Sequence, residues 1–368
     1  MKIKSITCHE VYNHGASLQE HALLKFLENL GHEAETIHYK PDYLSQHFNF
    51  LNVSNPKYKK NIILKSIFLI LKFPFRYIML KRKKNFDLFS DKYIKSTKKL
   101  YRTNEDLKID LPQADAYICG SDQIWNSFFP NGKDPSFYLD FVPDNKLKIS
   151  YAASFAIDKL EDNLKDFVRE KVSRLNNISV RESSGKNILS DLGINEVTHV
   201  LDPVFLLDQS YWKTLCVDPI INCDYIFVYD FESNPLIESF VKVQQKKHGY
   251  KIVSVNDNIK YADHNFYLDG PSTFLTLLSN SNFVVSNSFH AVAFSGIFKK
   301  QFTVFNRSEN INTRMLDFVN LLGIQNVLIS TKNESENYDY KIDYDAFDKK
   351  LDTLVKRSKD YLINALTK

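Results

Sequence analysis

The stretch Phe283-Val284-Val285-Ser286-Asn287-Ser288-Phe289-His290-Ala291-Val292-Ala293-Phe294-Ser295-Gly296-Ile297-Phe298 reads as a short apolar strand that turns polar and feeds straight into a helix of small and apolar residues. A strand that passes directly into a helix leaves unpaired helical N–H groups, and the positive end of the helix dipole, facing outward beyond the strand. Such a place suits an anion. His290 adds a titratable imidazole, and Asn287 and Ser288 add hydrogen-bonding side chains. A Ser/Asn turn is also what an ordinary helix N-cap looks like, so a chemical role depends on other polar strand ends converging here. The unit itself belongs to a parallel α/β sheet, whose ligand crevice lies beyond the carboxyl ends of the strands.

The same alternation extends outward on both sides. The second half reads as strand Tyr225 to Phe231, helix Pro235 to Lys247, strand Lys251 to Val255, helix Ser272 to Leu278, then the opening stretch and a strand Phe302 to Phe305. The first forty residues form a β-α-β unit. It comprises strand Ile3 to Cys8, loop Asn13-His14-Gly15-Ala16, helix Ser17 to Leu30, a stop at Gly31 and strand Ala34 to Tyr39. Leu18, Ala22, Leu23, Phe26, Leu27 and Leu30 make a stripe at helical spacing. Further strands are expected at Ala116 to Cys119, Lys148 to Ala153, Asn177 to Val180 and Val197 to Leu201. Three of these end in polar runs: Gly120-Ser121-Asp122-Gln123, Ser154, and Arg181-Glu182-Ser183.

With 368 residues, the chain is long enough for two cores. The expected fold is α/β, with two Rossmann-like doubly wound domains facing a cleft. Residues 1–205 form the first domain, with a basic, apolar insertion near 57–84, and residues 206–343 form the second. A C-terminal helix over 344–368 is expected to brace the first domain.

Composition excludes several classes. The four cysteines show no CxxC pairing, which speaks for reduced thiols and against a disulfide framework or zinc ribbon. Neither GxGxxG nor GxxxxGK[ST] occurs, so no dinucleotide or P-loop cofactor is expected. His9, His14 and His21 lack metal-ligand spacing, and no metal is expected. The start of the chain lacks the apolar core of a signal peptide, which points to a cytoplasmic location. Net charge is +4, yet Lys57 to Lys84 holds ten basic residues and no acidic one, so the rest of the chain is net negative.

Within that segment, Asn61 to Leu80 is too interrupted by Lys65, Lys72, Pro74 and Arg76 to span a membrane. It suits either an amphipathic helix lying on an anionic membrane or a helix packed on the sheet with its lysines snorkelling outward. Three arginines are open to chemistry. Arg181, at a strand's end, can grip a phosphate or carboxylate in two-point fashion, or can serve an ion pair. Arg307 and Arg314 follow the last strand and can hold an anion or face solvent.

Taken together, Asn13-His14-Gly15-Ala16 with Gln19, the GSDQIWN run at 120–126, SVRE at 179–182, Leu201-Asp202-Pro203 and NSFHAVAFSGIF at 287–298 resemble the polysaccharide pyruvyl transferase family. His14 and Ala291 depart from its commonest pattern. The resemblance implies a fold similar to GT-B glycosyltransferases. It also implies transfer of pyruvate from phosphoenolpyruvate, without another cofactor, onto two hydroxyls of a sugar during bacterial cell-surface polysaccharide synthesis. The family's donor-associated histidine and arginine map onto His290 and Arg181. Asn13, Gly15, Ser121, Asp122, Asn287, Ser288 and Arg314 are the accompanying candidates for donor or substrate binding. The expected acceptor is a sugar or lipid-linked oligosaccharide, with no nucleic-acid partner, and the membrane alternative for 57–84 would place the chain at the inner face of the plasma membrane. Two alternatives are a GT-B glycosyltransferase using a nucleotide sugar and a non-catalytic glycan-binding relative.

Overall fold

The computed structural model describes residues 1–44, 48, 50, 51, 53, 58, 61–307, 313–336 and 338–367. Lys57, Lys59 and Lys60 of the basic segment lie outside the described residues.

The first half is built on four parallel strands, β1 (Lys2–Ile6), β2 (Glu33–Thr36), β3 (Ala116–Cys119) and β4 (Leu147–Ser150), in the order β2-β1-β3-β4. Beyond β4 the sheet continues through single bridges from Ile149 to Asn177 and from Ala153 to Val180 into the pair β5 (Ile178–Val180) and β6 (Val197–His199). Parallel bridges Thr36↔Ser96 and Tyr39↔Tyr101 extend the other edge. The second half holds six parallel strands, β7 (Tyr225–Tyr229), β8 (Lys251–Ser254), β9 (His264–Asn265), β10 (Phe283–Ser286), β11 (Phe302–Phe305) and β12 (Leu328–Ile329). Their order, β12-β11-β10-β7-β8-β9, is that of a dinucleotide-type doubly wound sheet. In each half the strand order reverses at one place: between β1 and β3, and between β7 and β10.

Strands covered on both faces of a parallel sheet are near-continuous apolar runs. All five residues of β7 are buried, as are all four of β3 and of β11. The helix after β1 runs His14–Asn29, three residues earlier than its apolar stripe predicts. The cause is Asn13, an extended N-cap whose Oδ1 accepts from the Ala16 N–H at 3.2 Å. β12 and β9, only two residues each, carry too short a pattern to be read from sequence.

A single buried apolar cluster runs through both halves, from Ile3 and Leu18 to Phe294 and Phe318. Several polar contacts join the same halves. His14 is fully buried, with Nδ1 3.0 Å from the Tyr229 hydroxyl and Nε2 3.1 Å from the Asp269 carbonyl. The terminal helix Tyr344–Thr367 sets Phe347 against Gly296. It also donates from the Tyr361 hydroxyl to the Ser150 carbonyl at 3.0 Å, while Ser358 Oγ accepts from the Leu201 N–H at 2.8 Å.

The basic segment forms the first part of one helix, Ile62–Tyr93, capped by Asn61 and containing Pro74. Its final third is anchored. Phe86 and Phe89 are buried, Arg82 donates to the carbonyls of Tyr267 and Tyr12, and Asn85 donates to Leu268. The first half of the helix is largely exposed, with Ile62 77% and Leu71 73% exposed, and meets Phe50 and Tyr58 of the preceding segment through Phe73, Arg76 and Phe68. The helix is thus held to the body over residues 82–90, by loops of both halves, and is largely exposed over 62–78. Among the described residues, no helix is long and apolar enough to cross a membrane.

Candidate active site

The two places where strand order reverses face each other, and polar residues leaving β1, β3, β7 and β10 meet there. From β1's loop comes Asn13, from β3's exit Asp122 and Gln123, and from β10's exit Asn287, Ser288 and His290. Arg307 and Arg314 reach the same cavity from beyond β11. The cavity has a volume of about 120 Å³. A larger groove, about 800 Å³, lies at the opposite, amino ends of β5 and β6 beside the terminal helix. The smaller cavity is the better candidate, because it alone of the two sits beyond the strands' carboxyl ends.

The helix Phe289–Ile297 points its amino end into this cavity. Ser288 is its N-cap by backbone conformation, yet its side chain makes no capping bond, and its N–H instead donates to Ser286 Oγ at 2.9 Å. The ordinary N-cap bond is therefore not what the polar turn provides. Asn287 ties the two second-half exits together: Oδ1 accepts from the Phe231 N–H at 3.0 Å, and Nδ2 donates to Asp230 at 2.7 Å.

His290, which belongs to the second half, is seated against the first. Its Nε2 lies 3.5 Å from Asp202 Oδ2, a carboxylate with no exposure. On another side the ring rests on Gly15, where a Cβ would fall 2.1 Å from Nδ1. Only glycine admits the imidazole so close, which gives the first-loop glycine its physical reason.

Behind the cavity wall is a charge network. Arg181 donates to Asp202 and, at 3.2 Å, to Asp122, and its guanidinium lies 4.9 Å from the centre of the Phe289 ring. Arg314 reaches the same Asp122 oxygen at 3.3 Å. Burial alone would raise the carboxyls of Asp122 and Asp202, but Arg181, with smaller help from His290, holds both below the usual aspartate value. Burial lowers Arg181 too, and the two aspartates more than restore it. Arg314 is pulled down to about 10, first by burial and then by the neighbouring Arg181, and stays charged at neutral pH.

The structure thus brings His290, Asn13, Asp122, Asn287, Ser288 and Arg314 onto one cavity wall. Arg181 is 4% exposed and lies behind Asp122, off the wall; its two-point grip is taken by carboxylates of the chain itself. Ser121 is also behind the wall, donating to the Ala152 carbonyl at 2.9 Å, and Gly15 serves as the seat of His290. Sequence patterns overlooked Asp202 as a site residue, although the Leu201-Asp202-Pro203 run was visible. Its Oδ1 accepts from Val204 N–H at 3.1 Å at the start of a short 3-10 turn, a local capping signal that hid its second carboxylate oxygen.

The family model for polysaccharide pyruvyl transferases matches residues 13–309, which includes every cavity residue named above except Arg314. The chain belongs to the polysaccharide pyruvyl transferase family. No curated protein matches the sequence. Among solved structures, UDP-GlcNAc 2-epimerase from Neisseria meningitidis bound to UDP-GlcNAc is 11% identical, with 100% of each chain covered and a TM-score of 0.52. Arabidopsis thaliana UGT89C1 complexed with UDP-L-rhamnose is 8% identical over 98% of each chain, with a TM-score of 0.53. These likenesses concern the fold, which is GT-B-like. The family is one of enzymes of polysaccharide pyruvylation, and the chain is an enzyme of that class.

Proposed function

We propose that the chain transfers pyruvate from phosphoenolpyruvate onto a hydroxyl pair of a sugar, forming a cyclic ketal in cell-surface polysaccharide synthesis, and that the cavity around His290 holds the donor. The observation that carries this reading is the approach of His290 Nε2 to within 3.5 Å of buried Asp202, in a cavity also lined by Arg307, Arg314 and an uncapped helix amino end. An acid/base group thereby stands beside cationic groups for a phosphate and a carboxylate.

The chemistry needs little more. The methylene carbon of the enol phosphate gains a proton, C2 takes cationic character, and a sugar hydroxyl adds there and gives up its proton. The C2–O bond to phosphate then breaks, the second hydroxyl closes the ring, and its proton leaves with phosphate. The products are the ketal and inorganic phosphate. His290 moves the protons, Asp202 orients its ring, and Arg314 with the amides after Ser288 receives the anion. Arg181 acts one step back, holding Asp122 and Asp202 in place. His290→Ala is expected to lower phosphate release from phosphoenolpyruvate by about a hundredfold to ten-thousandfold with the fold intact. Near-normal turnover in that variant removes His290 from the mechanism.

The exposed half of the helix Ile62–Tyr93 supports the accompanying proposal of contact with an anionic membrane bearing a lipid-linked acceptor. Its exposed Ile63, Ile70, Leu71, Phe73 and Phe75 alternate with Lys65, Lys72 and Arg76 and meet no acidic residue before Lys84. Basic residues near such a surface contribute about 1 kcal/mol each. Replacing Lys65, Lys72, Lys83 and Lys84 by Gln should weaken sedimentation with anionic vesicles while phosphate release with a soluble acceptor persists. If the unaltered chain ignores such vesicles, the membrane contact is refuted.

A further inference from the structure

At the carboxyl ends of neighbouring strands β1 and β2, His9, Glu10 and His38 come together with one ligand atom each, all within 4.8 Å of one another. No spacing pattern reveals them, because His38 arrives from the adjacent strand exit. His9 is 1% exposed. Its Nδ1 lies 2.7 Å from Glu20 Oε1, on the helix His14–Asn29, which leaves Nε2 facing the group. That nitrogen is buried and has no hydrogen-bond partner; Glu10 Oε1 stands 3.6 Å away, beyond bonding range. The His38 ring meets His9 edge-on, with centres 5.3 Å apart. Lys40 donates to the other Glu10 oxygen at 2.5 Å.

A buried imidazole nitrogen without a partner is costly, and a carboxylate behind an imidazole is the usual support of a metal-ligating histidine. We propose that His9, Glu10 and His38 bind one divalent transition ion, with Glu20 orienting His9. Two imidazoles and one carboxylate are a nitrogen/oxygen donor set for ions such as Zn²⁺, and three protein ligands leave a coordination position for water or an anion. Bonds of about 2.1 Å require the ligand atoms to close to roughly 3.4 Å, a matter of side-chain rotation. The rival occupant is a proton on His9 shared between Glu20 and Glu10. Against it stands the 3.6 Å gap at Nε2. Asn13 of the donor cavity follows on the same loop, so the ion fixes the loop that carries it. The proposal does not depend on the identity of the donor.

Zn²⁺ titration of the chelator-stripped full chain near neutral pH, followed by calorimetry, tests it, with Co²⁺ absorption reporting imidazole ligation. One ion per chain is expected. Glu10→Gln keeps the side-chain shape and His38→Ala alters a half-exposed position, so both should fold; each is expected to weaken binding at least tenfold. Glu20→Gln, which reaches the ion only through His9, is expected to weaken it roughly 10- to 100-fold. His32→Ala, at the other end of the sheet, should change nothing. Absence of Zn²⁺ binding by the unaltered chain, or binding unchanged in both Glu10→Gln and His38→Ala, overturns the proposal.

Discussion

Two guanidinium groups reach Asp122 from opposite halves of the molecule, Arg181 at 3.2 Å and Arg314 at 3.3 Å, and their surroundings differ. Arg181 has a second carboxylate, Asp202, and its own acidity is weakened by the pair. Arg314 shares a single carboxylate with another cation and is pulled down to about 10 by burial and by that cation. The first half therefore supplies a closed, internally neutralised frame, and the second half supplies positive charge with capacity left for a ligand. Groups of the two kinds should answer differently to mutation, in stability for the frame and in ligand binding for the open side.

The largest effect is expected from Asp202→Ala. It leaves Arg181 buried with one carboxylate fewer, and breaking such a pair from one side costs about 3–5 kcal/mol, measurable by urea unfolding. A loss below 1 kcal/mol would mean that the frame is not a frame. The same pair sets the acid limb. Because Asp122 and Asp202 have lowered folded pKa values, the stability they contribute is full above the unfolded aspartate value of about 3.9 and is lost as pH falls through and below it. Asp202→Asn should accordingly flatten the decline in unfolding free energy below about pH 4. An unchanged slope would assign acid unfolding to other carboxylates.

Gly15→Ala probes the seam between the two sides. The added methyl meets the His290 ring, so about 1–3 kcal/mol of stability should go together with phosphate release, since the imidazole must shift from Asp202. Full activity in that variant would show that the position of His290 over the first loop is immaterial. Arg314→Met should be mildest in stability, because Arg181 still neutralises Asp122, and its effect should fall on the donor.

Much of the frame was legible in the sequence. Strands Ala116–Cys119 and Phe302–Phe305 have the bounds that their apolar patterns indicate, and the polar strand ends pointed to one cleft. The roles within the cleft were less legible, for a physical reason. A strand-end arginine looks the same whether it faces a ligand or an internal carboxylate, and only the distance to Asp202 decides. The His9, Glu10 and His38 group was hidden because it forms across strands. The exposed half of the helix Ile62–Tyr93 was ambiguous because apolar residues between lysines suit a core as well as a membrane surface.

The most direct measurement is the thermal midpoint of the full chain with and without phosphoenolpyruvate, compared with Arg314→Met and with UDP as the competing ligand. Phosphoenolpyruvate should raise the midpoint of the unaltered chain. In Arg314→Met the protection should shrink by roughly 10- to 100-fold in apparent affinity, the worth of one charged hydrogen bond, and UDP should give none. Protection by UDP and not by phosphoenolpyruvate, or phosphoenolpyruvate protection untouched by Arg314→Met, would contradict the donor site described here.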